Sequence, residues 1–143
     1  MSVAGVVLDD GGRALLVQRR DNGHWEPPGG VLEIEEGVTD GVEREVHEET
    51  GLTVEAVALT GVYKNMSRGI VALVFRCRVV AGALSANDEV KAFHWATRHE
   101  VTSMLDEAYA VRVLDAMEAA LASVPIRHHD GVKLVDPHPR EPA

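Results

Sequence analysis

Apolar positions along the chain change their spacing in a way that separates strands from helices. Val3 to Leu8 and Ala14 to Gln18 are short apolar runs, and Asp9-Asp10-Gly11-Gly12 between them is a strong turn sequence. This arrangement predicts a β-hairpin. Trp25-Glu26-Pro27-Pro28-Gly29-Gly30 then stops any regular element, because two prolines followed by two glycines fit neither a helix interior nor a central strand. From Val38 the period lengthens. Val38, Val42 and Val46 recur every four residues and predict a helix from Val38 to Thr50. Gly37 suits its N-cap, Asp40 and Glu43 favour its positive end, and Gly51 fits the left-handed position beyond its C-terminus.

Strand character returns in Thr53 to Tyr63, Ile70 to Val80 and Val90 to Ala96, with Lys64 to Gly69 joining the first two. Phe93 and Trp95 fall on one face of the last of these. Thr97-Arg98-His99-Glu100 has the capping-box pattern and opens a short helical turn. Asp106 to Ala122 reads as the second long helix, with Ala110, Val113, Leu114, Met117 and Leu121 along one face. That stripe is core, or in part a homodimer surface. After Ser123 no periodicity survives. Four of the six prolines lie from Pro125 onward, and His128, His129 and His138 there lack metal-ligand spacing. The expected organisation is one domain over 1–122 and a flexible or loosely docked tail over 123–143. Strands interleaved with two helices imply an α/β fold, a mixed β-sheet sandwiched between α-helices.

Composition narrows the partners. With 143 residues the chain suits one domain and one core. A net charge of −9 repels polyanions, which argues against binding DNA or RNA as polymers. A small phosphorylated molecule is a different case, because one or two arginines and a metal ion can meet its charge locally. No apolar run is long enough to span a bilayer, and Met1-Ser2-Val3-Ala4 has no basic stretch leading into an apolar one, so neither membrane insertion nor a secretory leader is expected. The single cysteine, Cys77, excludes an internal disulfide and predicts a cytoplasmic setting. Within an apolar strand it reads as a small buried hydrophobe.

The chemistry concentrates in Arg44-Glu45-Val46-His47-Glu48-Glu49. At about 100° per residue, Glu45, Glu48 and Glu49 span only about 100° of the helix circumference. Three like charges so close repel one another. They make sense in front of a hard divalent cation, which takes oxygen ligands and keeps waters and substrate phosphates in its shell.

The segment Gly30 to Leu52 resembles the signature box of the Nudix (MutT-like) hydrolases, G-x5-E-x7-R-E-U-x-E-E-x-G-U, where U is a bulky aliphatic. Gly30, Glu36, Arg44, Glu45, Val46, Glu48, Glu49, Gly51 and Leu52 all match, and the likeness extends from the first strand to about Ala122. The resemblance implies the α/β/α sandwich of that family and Mg2+-dependent hydrolysis of a nucleoside diphosphate linked to another moiety, with Mn2+ able to substitute. It implies Glu48 and Glu49 as the firmest metal ligands and Glu45 as third ligand or general base. Glu36 then binds metal through water or pairs with Arg44, and Arg44 orients carboxylates without touching substrate. The carbonyl of Gly29 or Gly30 is an added metal ligand. Glu89 is another ligand or base, with Asp88 as substitute.

Arg19 and Arg20 are the expected substrate contacts, although strand geometry lets only one of them face the substrate. Trp25 stacks on a nucleobase or packs beneath the loop. His47, at a variable position of the box, is expected to be exposed. The downstream proline typical of ADP-ribose types is absent; its position falls near Ser67, and no proline occurs between Pro28 and Pro125. Elimination therefore favours a nucleoside or deoxynucleoside triphosphate, or an oxidised nucleotide. The alternatives are ADP-ribose or another nucleotide sugar, and a non-catalytic domain that senses a nucleotide.

Overall fold

The computed structural model describes residues 1–118 and 123–138. Its elements in chain order are β1 (Ser2–Val7), β2 (Ala14–Arg19), β3 (Trp25–Glu26), β4 (Gly29–Val31), α1 (Val38–Thr50), β5 (Leu52–Asn65), β6 (Ile70–Gly82), β7 (Val90–Ala96), α2 (Arg98–Met104), α3 (Glu107–Met117) and β8 (Ile126–His129). The strands form a five-stranded sheet in the order β4-β1-β6-β5-β8 and a three-stranded sheet in the order β3-β2-β7. The larger sheet is mixed: β1–β6 and β5–β8 are parallel, and the remaining pairs are antiparallel. Among the described residues, no helix is long and apolar enough to cross a membrane.

Strand β1 explains the layering. Val3 and Val7 join Val42, Val46, Phe75 and Cys77 in one cluster under α1. Ala4 and Val6 join Leu16, Tyr63, Val74, Val101, Val113 and Ala116 in the other, under α2 and α3. Period-two alternation thus sends successive side chains to two buried faces, which is why β1 reads as a continuous apolar run. Burying Val42 and Val46 completely contributes about 1.5–3 kcal/mol each. Gly5 lets the helix settle this low, since a Cβ there would stand 2.7 Å from Val46 Cγ2. The expected sandwich of sheet between helices is present. Cys77 is buried, as its strand setting implied.

Helix α1 spans the predicted residues. Gly51 sits at φ 83° and its N–H bonds His47 O, so the helix ends where glycine alone adopts the turn without strain. Thr50 closes the same end from below, donating to Val46 O at 2.6 Å and accepting from Leu52 N at 3.0 Å. The capping box at Thr97 and Glu100 is formed in full. In α3, Ala110 and Val113 are buried and Leu114 and Met117 pack against the same cluster, which assigns that stripe to the core; Leu121 lies outside the described residues.

Two expectations are corrected. The first two strands do not form a hairpin. The turn is made, with Asp9 N–H to Arg13 O at 2.9 Å, but Leu8 and Ala14 form only an isolated bridge. Beyond it β1 enters the larger sheet and β2 the smaller one. Both strands are buried, so each gains more from a separate layer than from pairing with the other.

The tail is corrected over its first half. Ile126–His129 pairs in parallel with Val62–Asn65, so the sheet gains an edge strand where an irregular segment was expected. Backbone bonds hold this segment: Val62 N–H to Pro125 O, Met66 N–H to His129 O, and Ala108 N–H to Val132 O. Asp115 anchors it, accepting from Arg127 Nε and Nη2 at 2.8 Å each and from the Tyr63 hydroxyl at 2.7 Å. Asp115→Ala strands a buried tyrosine hydroxyl and frees Arg127, so it is expected to cost about 2 kcal/mol in urea unfolding, with no change in m-value. An unchanged midpoint would show that β8 is not anchored here.

Candidate active site

The helix α1 faces the two glycines of β4, and this closeness organises the carboxylates. A Cβ on Gly30 would lie 2.6 Å from the Glu45 carboxyl, so a larger residue there would push that carboxyl out of its present position. The Gly29 N–H donates to Glu49 Oε2 at 3.1 Å. Glu49 is only 7% exposed. That N–H is opposed by burial and by the carboxylates of Glu26, Glu45 and Glu89, and burial above all pushes the Glu49 carboxyl up to about 8. Burial also raises Glu45, with Arg44 pulling against it and Glu48 and Glu89 adding to it.

Arg44 offsets part of this charge. Its Nε and Nη2 grip both oxygens of Glu36, at 2.8 and 2.6 Å. Its Nη1 reaches Glu45 Oε1 at 3.0 Å and Glu48 Oε2 at 3.2 Å, and Nη2 also reaches Val31 O at 3.2 Å. The bidentate contact holds the Glu36 carboxyl down at about 2. Glu36 pairs with Arg44, one of the two roles expected for it. One guanidinium thus ties together the box residues that precede α1 and those upon it.

Glu89 reaches the same place from another element. Asn87 Nδ2 donates to Glu49 O at 2.8 Å, and Asn87 Oδ1 accepts from the N–H groups of Glu89 and Val90 at 2.9 and 3.0 Å. The loop is therefore fastened to the end of α1, and the Glu89 charge acts on both Glu45 and Glu49. Arg20 Nε braces the loop through Asn87 O at 2.7 Å, and Arg20 N–H bonds Glu89 O at 2.9 Å. Arg19 points the other way. It pairs with Asp21 at 2.7 Å and with Glu26 at 3.2 Å and lines the cleft. Of the two arginines, then, Arg19 lines the cleft and Arg20 supports the loop.

A cleft of about 300 Å³ runs along Glu26, Gly29, Gly30, Tyr109 and Arg112. It adjoins a larger one of about 610 Å³ that includes Trp25, Asn65, Arg68 and Gly131. Trp25 meets the His94 ring edge-on, with centroids 6.3 Å apart, and packs on the core with its remaining surface. It lines the larger cleft while doing so. His47 is exposed, as its place in the box implied.

Among the described residues, no three His, Cys, Asp or Glu side chains converge into a preformed metal cage. The donor set nonetheless fits a hard divalent cation. Glu49 is buried among like charges with a single N–H for company, Glu45 stands beside it, and backbone glycine is close by. An open site of this kind suits a cation that keeps waters and substrate oxygens as its other ligands.

Three contributors escaped the sequence reading. Glu26 and Asn87 could have been found, since one adjoins the Pro-Pro-Gly-Gly turn and the other opens an Asn-Asp-Glu loop. Arg112 could not, because it interrupts an apolar stripe and looks like the polar side of α3.

A family profile described as "NUDIX domain" matches residues 1–116. This chain belongs to the Nudix family. A MutT-like protein of Streptomyces ambofaciens is 53% identical over 135 residues, covering 94% of this chain and 86% of that protein. An ADP-ribose pyrophosphatase of Methanocaldococcus jannaschii is 36% identical over 98 residues, covering 64% of this chain and 57% of that protein. The crystal structure of an ADP-ribose pyrophosphatase from Streptococcus suis has the same fold, with a TM-score of 0.72 and 24% identity over 90% of this chain and 97% of that one. The Nudix hydrolases cleave pyrophosphate linkages with divalent metal ions, and this Nudix protein is an enzyme of that kind.

The raised Glu49 carboxyl makes a prediction for the metal-free protein. A carboxyl whose pKa rises on folding keeps its proton in the folded state after the unfolded chain has lost it, so stability falls as pH rises from about 4.5 to about 8. Glu49→Gln keeps the Gly29 contact and removes the charge. It is expected to be more stable than the parent by about 2 kcal/mol at pH 8 in EDTA, and no different at pH 4. Parallel pH–stability curves for the two proteins would show that Glu49 is not strained.

Proposed function

We propose that the protein is a Mg2+-dependent hydrolase of a nucleoside diphosphate linked to another moiety, with a (deoxy)nucleoside triphosphate or an oxidised nucleotide as substrate. The observation that carries this reading is Glu49: a nearly buried carboxyl, pushed up to about 8, beside Glu45 and hydrogen-bonded to Gly29, which with Arg19 lines the cleft.

Glu48 and Glu49 are the side chains to hold the cation, with Glu45 as third ligand or general base and the Gly30 carbonyl as a backbone ligand. When bound, the cation neutralises the diphosphate oxygens that otherwise shield phosphorus from attack. Arg44 keeps Glu45 and Glu48 facing one way and draws on Glu36 to do so. Glu45 and Glu89 are the carboxylates left to accept the proton of the attacking water, since burial commits Glu49 to the metal. Arg19 receives substrate charge at the cleft, and Trp25 offers a ring at its far end. Arg20 acts through the loop that carries Glu89.

The triphosphate reading is supported by the likeness to the MutT-like protein over nearly the whole chain and by the missing proline near Ser67. The second reading, ADP-ribose or a related nucleotide sugar, draws on the M. jannaschii relative, whose matched region is shorter. A sensing role without turnover would suit a degenerate box, and this box is intact.

A nucleotide panel of dGTP, 8-oxo-dGTP and ADP-ribose with Mg2+ and product identification separates these. The expected products are a nucleoside monophosphate and pyrophosphate. Glu48→Gln and Glu49→Gln should each lower kcat at least about 100-fold while remaining folded. Full activity in both variants would sink the site assignment, and nucleotide binding without turnover in Mg2+ or Mn2+ would favour the sensor.

A further inference from the structure

Arg112 of α3 is a buried cation without an anion. It is 9% exposed. Its guanidinium carbon lies 4.8 Å from the Tyr109 ring centre and 5.4 Å from that of Tyr63. The obvious counter-charge, Asp115, is already taken by Arg127 and the Tyr63 hydroxyl. Glu26, the carboxylate that acts on Arg112 from β3, is bonded to Arg19. No ion pair to Arg112 exists among the described residues.

Its hydrogen bonding is also incomplete. Nε is buried with no partner. Nη2 stands 3.0 Å from His129 Nε2, while His129 Nδ1 accepts the Gly131 N–H at 3.0 Å. A neutral imidazole has one N–H and one acceptor nitrogen, so it cannot accept from both. When Nδ1 accepts, Nε2 carries the proton and turns it toward the guanidinium. An arginine kept only for packing would have its N–H groups matched. This one loses solvation and is not repaid by its neighbours.

The same side chain lines the cleft that contains Gly29 and Gly30, and Arg68 lines it as well. We propose that Arg112 is a substrate-binding residue that receives a phosphate oxygen of the bound nucleotide, in the cleft whose Gly29 and Gly30 adjoin the Glu49 and Glu45 carboxyls. This rests on the nucleotide reading of the site and names a second point of attachment within it. Tyr63 and Tyr109 hold the guanidinium in place, and His129 gives it up when the anion arrives. The fork of an arginine suits two phosphate oxygens at once.

The test uses AMP and inorganic phosphate as probes in EDTA, where the metal platform contributes nothing. Binding is read by Trp25 and Trp95 fluorescence and by the thermal shift that each probe produces. Wild-type protein is expected to bind AMP, and Arg112→Met to raise its Kd at least about tenfold, as loss of a charge-assisted hydrogen bond does. Should Arg112→Met fail to fold by circular dichroism, Arg112→Lys decides. It keeps the charge and loses the fork, and is expected to weaken AMP binding about threefold or more. Equal AMP affinity in wild type and the folded Arg112 variant overturns the proposal, and so does a wild type that binds neither probe. Nucleotide turnover that persists while AMP binding ignores Arg112 sinks this inference alone. Arg112-dependent AMP binding without any turnover supports it and sinks the hydrolase reading instead.

Discussion

The structure depends on a repulsion that the protein itself does not fully resolve. Glu45 and Glu49 sit on adjoining positions of α1, lowered against β4, and the charges of Glu26 and Glu89 act on Glu49 from two other elements. Low solvent access makes each of these charges costlier than it would be on a surface. The arrangement persists because α1 is held by something unrelated to charge. Val42 and Val46 are fully buried on its other flank, against Val3, Val7 and Phe75. Apolar packing fixes the helix, and the fixed helix holds the carboxylates together.

Arg44 shows how far side chains alone can go. It satisfies Glu36, reaches Glu45 and Glu48, and makes no hydrogen bond to Glu49. The most buried carboxylate of the group therefore has a proton where a cation would serve better. A mobile divalent ion completes the charge balance only when present, which leaves the site open to substrate oxygens. Arg112, in the cleft that Gly29 and Gly30 line, has the opposite imbalance. Arg112 is a positive charge with too few acceptors, and the α1 platform is negative charge with too few donors. A metal–nucleotide complex carries both missing partners.

The parts legible in the sequence were those governed by local spacing. The valine period and the glycines at 37 and 51 located α1 to the residue, and Thr97 with Glu100 located the start of α2. The box spacing named the carboxylates, because positions 45, 48 and 49 must share a face on any helix. What was not legible involved partners distant in sequence. A continuous apolar run says that a strand is buried on both faces but not which strand lies beside it, so β1 and β2 were paired with each other when they belong to separate sheets. β8 is four residues with no alternation and is held mainly by backbone bonds and one aspartate, none of which leaves an apolar pattern. Arg112 and His129 meet only because β8 docks, so their relation was invisible for the same reason.

The most direct measurement of the central claim is the proton count on metal binding. Mg2+ titrated into the protein at pH 7, in two buffers of different ionisation enthalpy, reports protons released per ion by calorimetry. A Glu49 carboxyl that sits near 8 is largely protonated at that pH and has to lose its proton to become a ligand. Release of close to one proton per bound Mg2+ is expected at pH 7, falling toward none above about pH 9. Mg2+ binding with no buffer dependence at pH 7 would contradict it.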